Sequence, residues 1–263
     1  MPDNADPRRL RLPLDRYTLD DASFRLVARA AEQLKRACMA QHGFRYLPEP
    51  PQPQTGPVGN ERRYGIAVPE SAARYGYGFP PGRDPKKVGS TSVNNGLSRA
   101  ARKALLGFVP AEIRDLSEVK TARKGGCVHS AEEELAAGAP PVNNEMLVDE
   151  LGRDTYESSR ADSRVTEAVR MWSACMRARG FHYAAPWEAT RDPAIVGAPS
   201  GPEAVEVASA DVVCKTTSRL VPTWFAVESA HQQRAIRQHE RELQRIERRH
   251  ATVLAHARAA ESR

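Results

Sequence analysis

Few residues in this chain are of a type and spacing that carry chemistry. Glu228 and His231 stand three apart, close enough on one helical face to share a proton as a general acid–base pair. Asp211 lies three residues before Cys214 and is the second carboxylate that hydrolysis could use. The same spacings also describe a helix-surface ion pair and an ordinary helical polar residue, and these simpler readings carry more weight. Seven histidines, at 42, 129, 182, 231, 239, 250 and 256, show no metal-ligand spacing, so no metal and no cofactor are expected. Phosphate-binding glycine loops, dinucleotide fingerprints, zinc-protease helices and nucleophile elbows are all missing.

The four cysteines, Cys38, Cys127, Cys175 and Cys214, include no C-x-x-C pair, which leaves out zinc-ribbon and thioredoxin spacings. Their setting is more informative. Cys38-Met39-Ala40-Gln41-His42-Gly43-Phe44-Arg45-Tyr46 repeats as Cys175-Met176-Arg177-Ala178-Arg179-Gly180-Phe181-His182-Tyr183, identical at five of nine positions. Each copy is followed by one further cysteine. If each half is a copy of one unit, each keeps its own bridge, which predicts Cys38–Cys127 and Cys175–Cys214. Disulfides suit an oxidising compartment and exclude thiol catalysis. In both copies the glycine is placed to end a helix in a left-handed conformation, with Phe and Tyr folding back over its last turn.

The elements that position these residues are helical. Apolar residues recur with the helical period from Asp21 to His42, where Phe24, Val27, Ala28, Ala31, Leu34 and Cys38 mark a face. Helices are also expected over Pro69 to Tyr75, from near Cys127 with a capping box at Ser130 and Glu133, over Asn144 to Leu151, over Arg164 to Arg179, and over Pro202 to Leu220. Pro222 opens a long last helix reaching about residue 258. Residues 1–20 read as a polar extended arm, and 184–201 as loop. The expected fold is mainly α: two pseudo-repeated, disulfide-linked helical units (21–140 and 144–220) with long Pro/Gly-rich loops. They form a single domain over 21–235, joined to the long C-terminal helix of 222–258.

Two further patterns point to surfaces. Tyr64, Tyr75, Tyr77 and Phe79 cluster in a Gly-rich insertion that the second copy lacks; such aromatics bind sugars or peptides when exposed and plug the core of a loop-rich half when not, and the second reading carries more weight. Arg234, Arg237, Arg241, Arg245 and Arg248 follow steps of three and four along one helical face. The formal net charge is +6, and four of that excess lie between His231 and Arg263. Such a stripe suits an anionic polymer, or is the solvated side of a helix that docks or self-associates through Ile236, Leu243, Ile246, Val253 and Leu254.

Several stretches taken together resemble a group of actinobacterial exported proteins and lipoproteins. They are Met171-Trp172-Ser173-Ala174-Cys175-Met176, Gly180-Phe181-His182-Tyr183, Ala210-Asp211-Val212-Val213-Cys214-Lys215 and Thr223-Trp224-Phe225-Ala226-Val227-Glu228-Ser229. Asn60-Glu61-Arg62-Arg63-Tyr64-Gly65 and Gly125-Gly126-Cys127 look similar as well. The resemblance runs from about Leu12 to His239. It implies a cell-envelope location and paired disulfides, and brings no activity with it. The basic N-terminal residues Arg8, Arg9 and Arg11 have no apolar stretch behind them, so no export signal is legible as written. The leading expectation is a non-catalytic envelope or secreted protein that binds a partner, either another envelope protein or an anionic polymer. The alternatives are a wall-directed hydrolase using Glu228 or Asp211, and a cytosolic nucleic-acid-associated protein using the arginine stripe.

Overall fold

The computed structural model describes residues 7–49, 59–84, 96–108 and 123–262. Among them the secondary structure is helical and no strand occurs. The helices are α1 (Asp21–Gln41), α2 (Pro69–Tyr75), α3 (Arg99–Leu106), α4 (Cys127–Leu135), α5 (Leu147–Arg160), α6 (Ser163–Ala178), α7 (Pro186–Ala189), α8 (Pro193–Gly197), α9 (Pro202–Thr217), α10 (Leu220–Gln238) and α11 (Glu240–Glu261).

The chain folds into two compact units that are not its two halves. The first comprises Met1–Arg16, Pro53–Gly89 and Met146–Glu240; the second comprises Tyr17–Gln52, Ser90–Glu145 and Arg241–Arg263. The expected division at about residue 140 and the single 21–235 domain are therefore replaced by an interleaved arrangement. The Gly-rich insertion belongs with the second cysteine motif, and the last helix belongs with the first.

In the first unit α6, α9 and α10 surround a core of Val165, Val169, Trp172, Met176, Ile195, Val207, Leu220, Trp224 and Val227. Leu10 and Tyr64 enter the same core. The segment 7–17, expected as an extended arm, forms two 3-10 turns with Leu10, Leu12, Leu14 and Tyr17 buried. Asp15 holds the second turn by accepting from the backbone N–H of Leu12 at 2.9 Å and from Asn60 at 2.7 Å.

In the second unit α1, α4 and α11 meet along Ala30, Leu135 and Ala257, with Leu26, Val27, Leu34 and Val253 around them. A second cluster gathers Met39, Tyr46, Ala101 and Cys127 against α3. Phe24, expected on the apolar face of α1, is 65% exposed; Leu26 and Ala30 take the sheltered side instead.

Several boundaries differ from expectation for identifiable reasons. The N-cap of α4 is Gly126, so Ser130 lies inside the helix and forms no capping box. The helix expected over 144–151 starts later, at Leu147, and runs on to Arg160. The long C-terminal helix is broken at His239. Residues 237–241 are all exposed there, and the two helices on either side are anchored in different compact units.

Candidate functional site

Both cysteine motifs end their helices in the same way. Gly43 and Gly180 have φ of +76° and +88°. The backbone N–H of Phe44 donates to the Met39 carbonyl at 2.9 Å, and that of Phe181 to Met176 at 3.0 Å. The glycine N–H groups donate to Ala40 and Arg177 at 2.9 and 3.0 Å. These paired bonds satisfy the last helical carbonyls in a Schellman arrangement, and each phenylalanine packs with the buried methionine of its own motif. The disulfides are Cys38–Cys127 and Cys175–Cys214, and no cysteine is free.

The two carboxylates that acid–base chemistry would need are both 0% exposed. Asp211, on α9, accepts from the Trp172 indole N–H at 2.8 Å, the Tyr77 hydroxyl at 3.0 Å and Lys215 Nζ at 2.9 Å. Lys215 is itself buried and also donates to the Ile66 carbonyl at 2.8 Å. Burial raises the Asp211 pKa and lowers that of Lys215, each opposed by the charge of the other.

Glu228, on α10, is held by Arg63, whose Nη2 lies 2.6 Å from Oε1, by the Tyr64 hydroxyl at 2.8 Å and by Gln232 at 2.9 Å. Arg63 also donates to the Gly152 carbonyl at 2.7 Å and lies over the Tyr156 ring. The expected partner of Glu228, His231, makes none of these bonds. Its pKa is lowered by burial and by Arg234. Every oxygen of the two side chains already accepts a hydrogen bond from a neighbouring residue, and both are closed off from solvent.

The aromatic cluster divides. Tyr64 is buried in the core and is not a surface ligand site; burial and Glu228 push its hydroxyl pKa upward. Tyr77 packs against the same core and is tied to Asp211. Tyr75 and Phe79 are half-buried, with Arg74 over Tyr75 and Arg62 over Phe79 at 4.4 Å. The arginine stripe divides at His239 into Arg234 and Arg237 on α10 and Arg241, Arg245 and Arg248 on α11. Four are exposed, while Arg245 is half-buried and paired with Glu242 at 3.3 Å.

Two features of the second unit were not anticipated. A groove of about 840 Å³ runs between α1, residues Pro48–Glu49 and the end of α11. Arg29, Glu32, Arg36, Glu49 and Glu261 give it walls of both signs, and Arg29 pairs with Glu261 at 2.6 Å. His42 also places a ring nitrogen within 4.8 Å of the sulfurs of Cys38 and Cys127. Cys38 lies in the last turn of α1 and His42 is its C-cap residue, a Cys–His separation of four that is visible in the sequence.

Among the described residues, no helix is long and apolar enough to cross a membrane. No protein family, curated protein or solved structure matches the chain.

Proposed function

We propose that this is a non-catalytic protein of the cell envelope or extracellular space that binds a segment of another protein. The observation that carries the reading is the closure of both disulfides with no thiol left over, which suits an oxidising compartment. The burial and full hydrogen bonding of Asp211 and Glu228 support it from the other side, because a hydrolase needs a carboxylate that substrate can reach. The nucleic-acid alternative needs reduced cysteines and is not favoured. The groove beside α1 is the concave surface for the partner. Its mixed charges suit a protein segment carrying both amine and carboxylate groups better than a polyanion.

The test has two arms. Thiols are trapped in intact cells by a membrane-permeant alkylating agent before lysis; all four cysteines are expected to escape alkylation because they are held in the two disulfides, and alkylated cysteines would remove the compartment assignment. A photo-crosslinking amino acid at Gln33, in the groove wall, is expected to join one discrete envelope protein in the same cells. Failure to crosslink in cells where both disulfides are found closed would remove the groove as the binding surface.

A further inference from the structure

We infer that the Cys38–Cys127 disulfide, once reduced, becomes with His42 a binding site for a soft divalent cation of the zinc class. The three ligand atoms already lie within 4.8 Å of one another. Zn–S bonds of about 2.3 Å and a Zn–N bond of about 2.0 Å at tetrahedral angles need ligand atoms about 3.5–3.8 Å apart. The sulfurs must therefore separate by less than about 2 Å, starting from a bridge with S–S 2.03 Å.

The two disulfides differ at this point. The position that carries His42 in the first motif carries Arg179 in the second, a permanent cation with no lone pair for a metal. Among the described residues, only the first cysteine pair has a third ligand atom within 4.8 Å. Cys38 lies in the last turn of α1 and His42 is its C-cap residue, four positions on, which brings both side chains to the same helix end. Cys127 comes from the first residue of α4, whose preceding Gly126 allows close approach to α3: a Cβ on Gly126 would lie 2.3 Å from the Gly107 nitrogen. His42 is exposed, Cys38 is half-buried and Cys127 is buried, so the site opens to solvent on one side only.

The chemistry balances with a dithiol as reductant. One thiolate of the donor attacks the more accessible sulfur, Cys38 Sγ, and Cys127 leaves as a thiolate at the N-terminus of α4, where the helix dipole favours negative charge. The second donor thiol completes the exchange. The donor leaves as a disulfide, two electrons and two protons having passed to the cysteine pair. Zinc then displaces those two thiol protons to solvent and takes neutral His42 as its third ligand, with the fourth position left to water.

The full-length protein is reduced with a phosphine that does not bind metal and titrated with Zn²⁺, with Co²⁺ as a spectroscopic probe. Reduced protein is expected to bind one equivalent, to release close to two protons in weak buffer, and to show sulfur-to-cobalt charge transfer with tetrahedral d–d bands. The oxidised protein is expected to bind none. His42→Ala, which alters an exposed side chain, is expected to weaken zinc at least tenfold, and His42→Cys to restore it with a third sulfur in the cobalt spectrum. No binding by the reduced protein, with or without retained helicity, would overturn the inference. So would binding by His42→Ala within about threefold of wild type, because the cluster would then lack its defining ligand.

Discussion

Replacing Lys215 by Met tests whether the buried Asp211 network holds the first unit together. Methionine nearly matches the lysine in length and volume, so the change removes a charge and three donors without opening a cavity. Asp211 then keeps only the neutral Trp172 and Tyr77 donors, and the Ile66 carbonyl loses its 2.8 Å partner. Breaking one side of a buried pair costs about 3–5 kcal/mol, because the remaining charge has no solvent to turn to. At about 2–3 kcal/mol/M in urea, the midpoint falls by roughly 1–2 M. The tryptophans, Trp172, Trp187 and Trp224, all lie in the first unit, so their fluorescence under non-reducing conditions reports its unfolding alone. The double variant Asp211→Leu/Lys215→Met sharpens the test. An isolated buried pair can be exchanged for apolar residues at little cost. Here the exchange strands the Trp172 N–H, the Tyr77 hydroxyl and the Ile66 carbonyl, at about 1–3 kcal/mol each. The double variant should therefore remain destabilised by at least about 2 kcal/mol. A loss below about 1 kcal/mol for Lys215→Met, or a double variant as stable as wild type, would refute the network as a structural support.

Gly43→Ala and Gly180→Ala should each cost about 1 kcal/mol in urea titrations, since both positions have positive φ but nothing lies within 4 Å of an added Cβ. Gly126→Ala should cost clearly more despite its ordinary backbone, because its Cβ would meet the Leu106–Gly107 backbone at 2.3–2.8 Å; equal losses at all three would contradict this ordering. His250 has its pKa lowered by burial and by Arg249, so the unfolded chain takes up the proton first as pH falls. The stability it contributes is present above pH 6.5 and is lost as pH drops from there through the folded pKa, and His250→Gln should flatten that part of a stability–pH curve. The triple variant Arg237/Arg241/Arg245→Gln should bind an anionic polymer as wild type does at moderate salt, as expected of a solvated face interrupted at His239; a clear drop would restore the stripe as a binding surface.

Local features were legible wherever a few neighbouring residues decide the outcome. Asp20 and Gly43 bracket α1, and Pro69 and Gly76 bracket α2, because a cap oxygen, a proline in the first turn and a glycine past the last turn act within four residues. The cysteine pairing was legible from the matched motifs. The buried networks were not. Asp211 meets Tyr77 across 134 positions and Glu228 meets Arg63 across 165, so no spacing along the chain encodes either pair. His231 is a helical neighbour of Glu228, whereas that carboxylate's partners Arg63 and Tyr64 come from the Gly-rich insertion. The alternation of Leu10, Leu12 and Leu14 was a usable signal for a docked segment, outweighed by the charges and prolines around it. Nothing local marks the break at His239, with neither glycine nor proline there; the helices on its two sides belong to different units.

The interleaving of the two units has a consequence for how the chain comes into being. The Ala30 face of α1 is completed by Leu135 and finally by Ala257, six residues from the end. A ribosome therefore releases the first helix more than two hundred residues before its last partner exists. The chain leaves and re-enters each unit before either is whole, so neither half can be cut away as a folding piece. At 5–20 residues per second, α1 waits roughly 10–45 s with its apolar stripe uncovered. A nascent chain in that condition exposes apolar surface to other unfolded chains and to the factors that hold such chains apart.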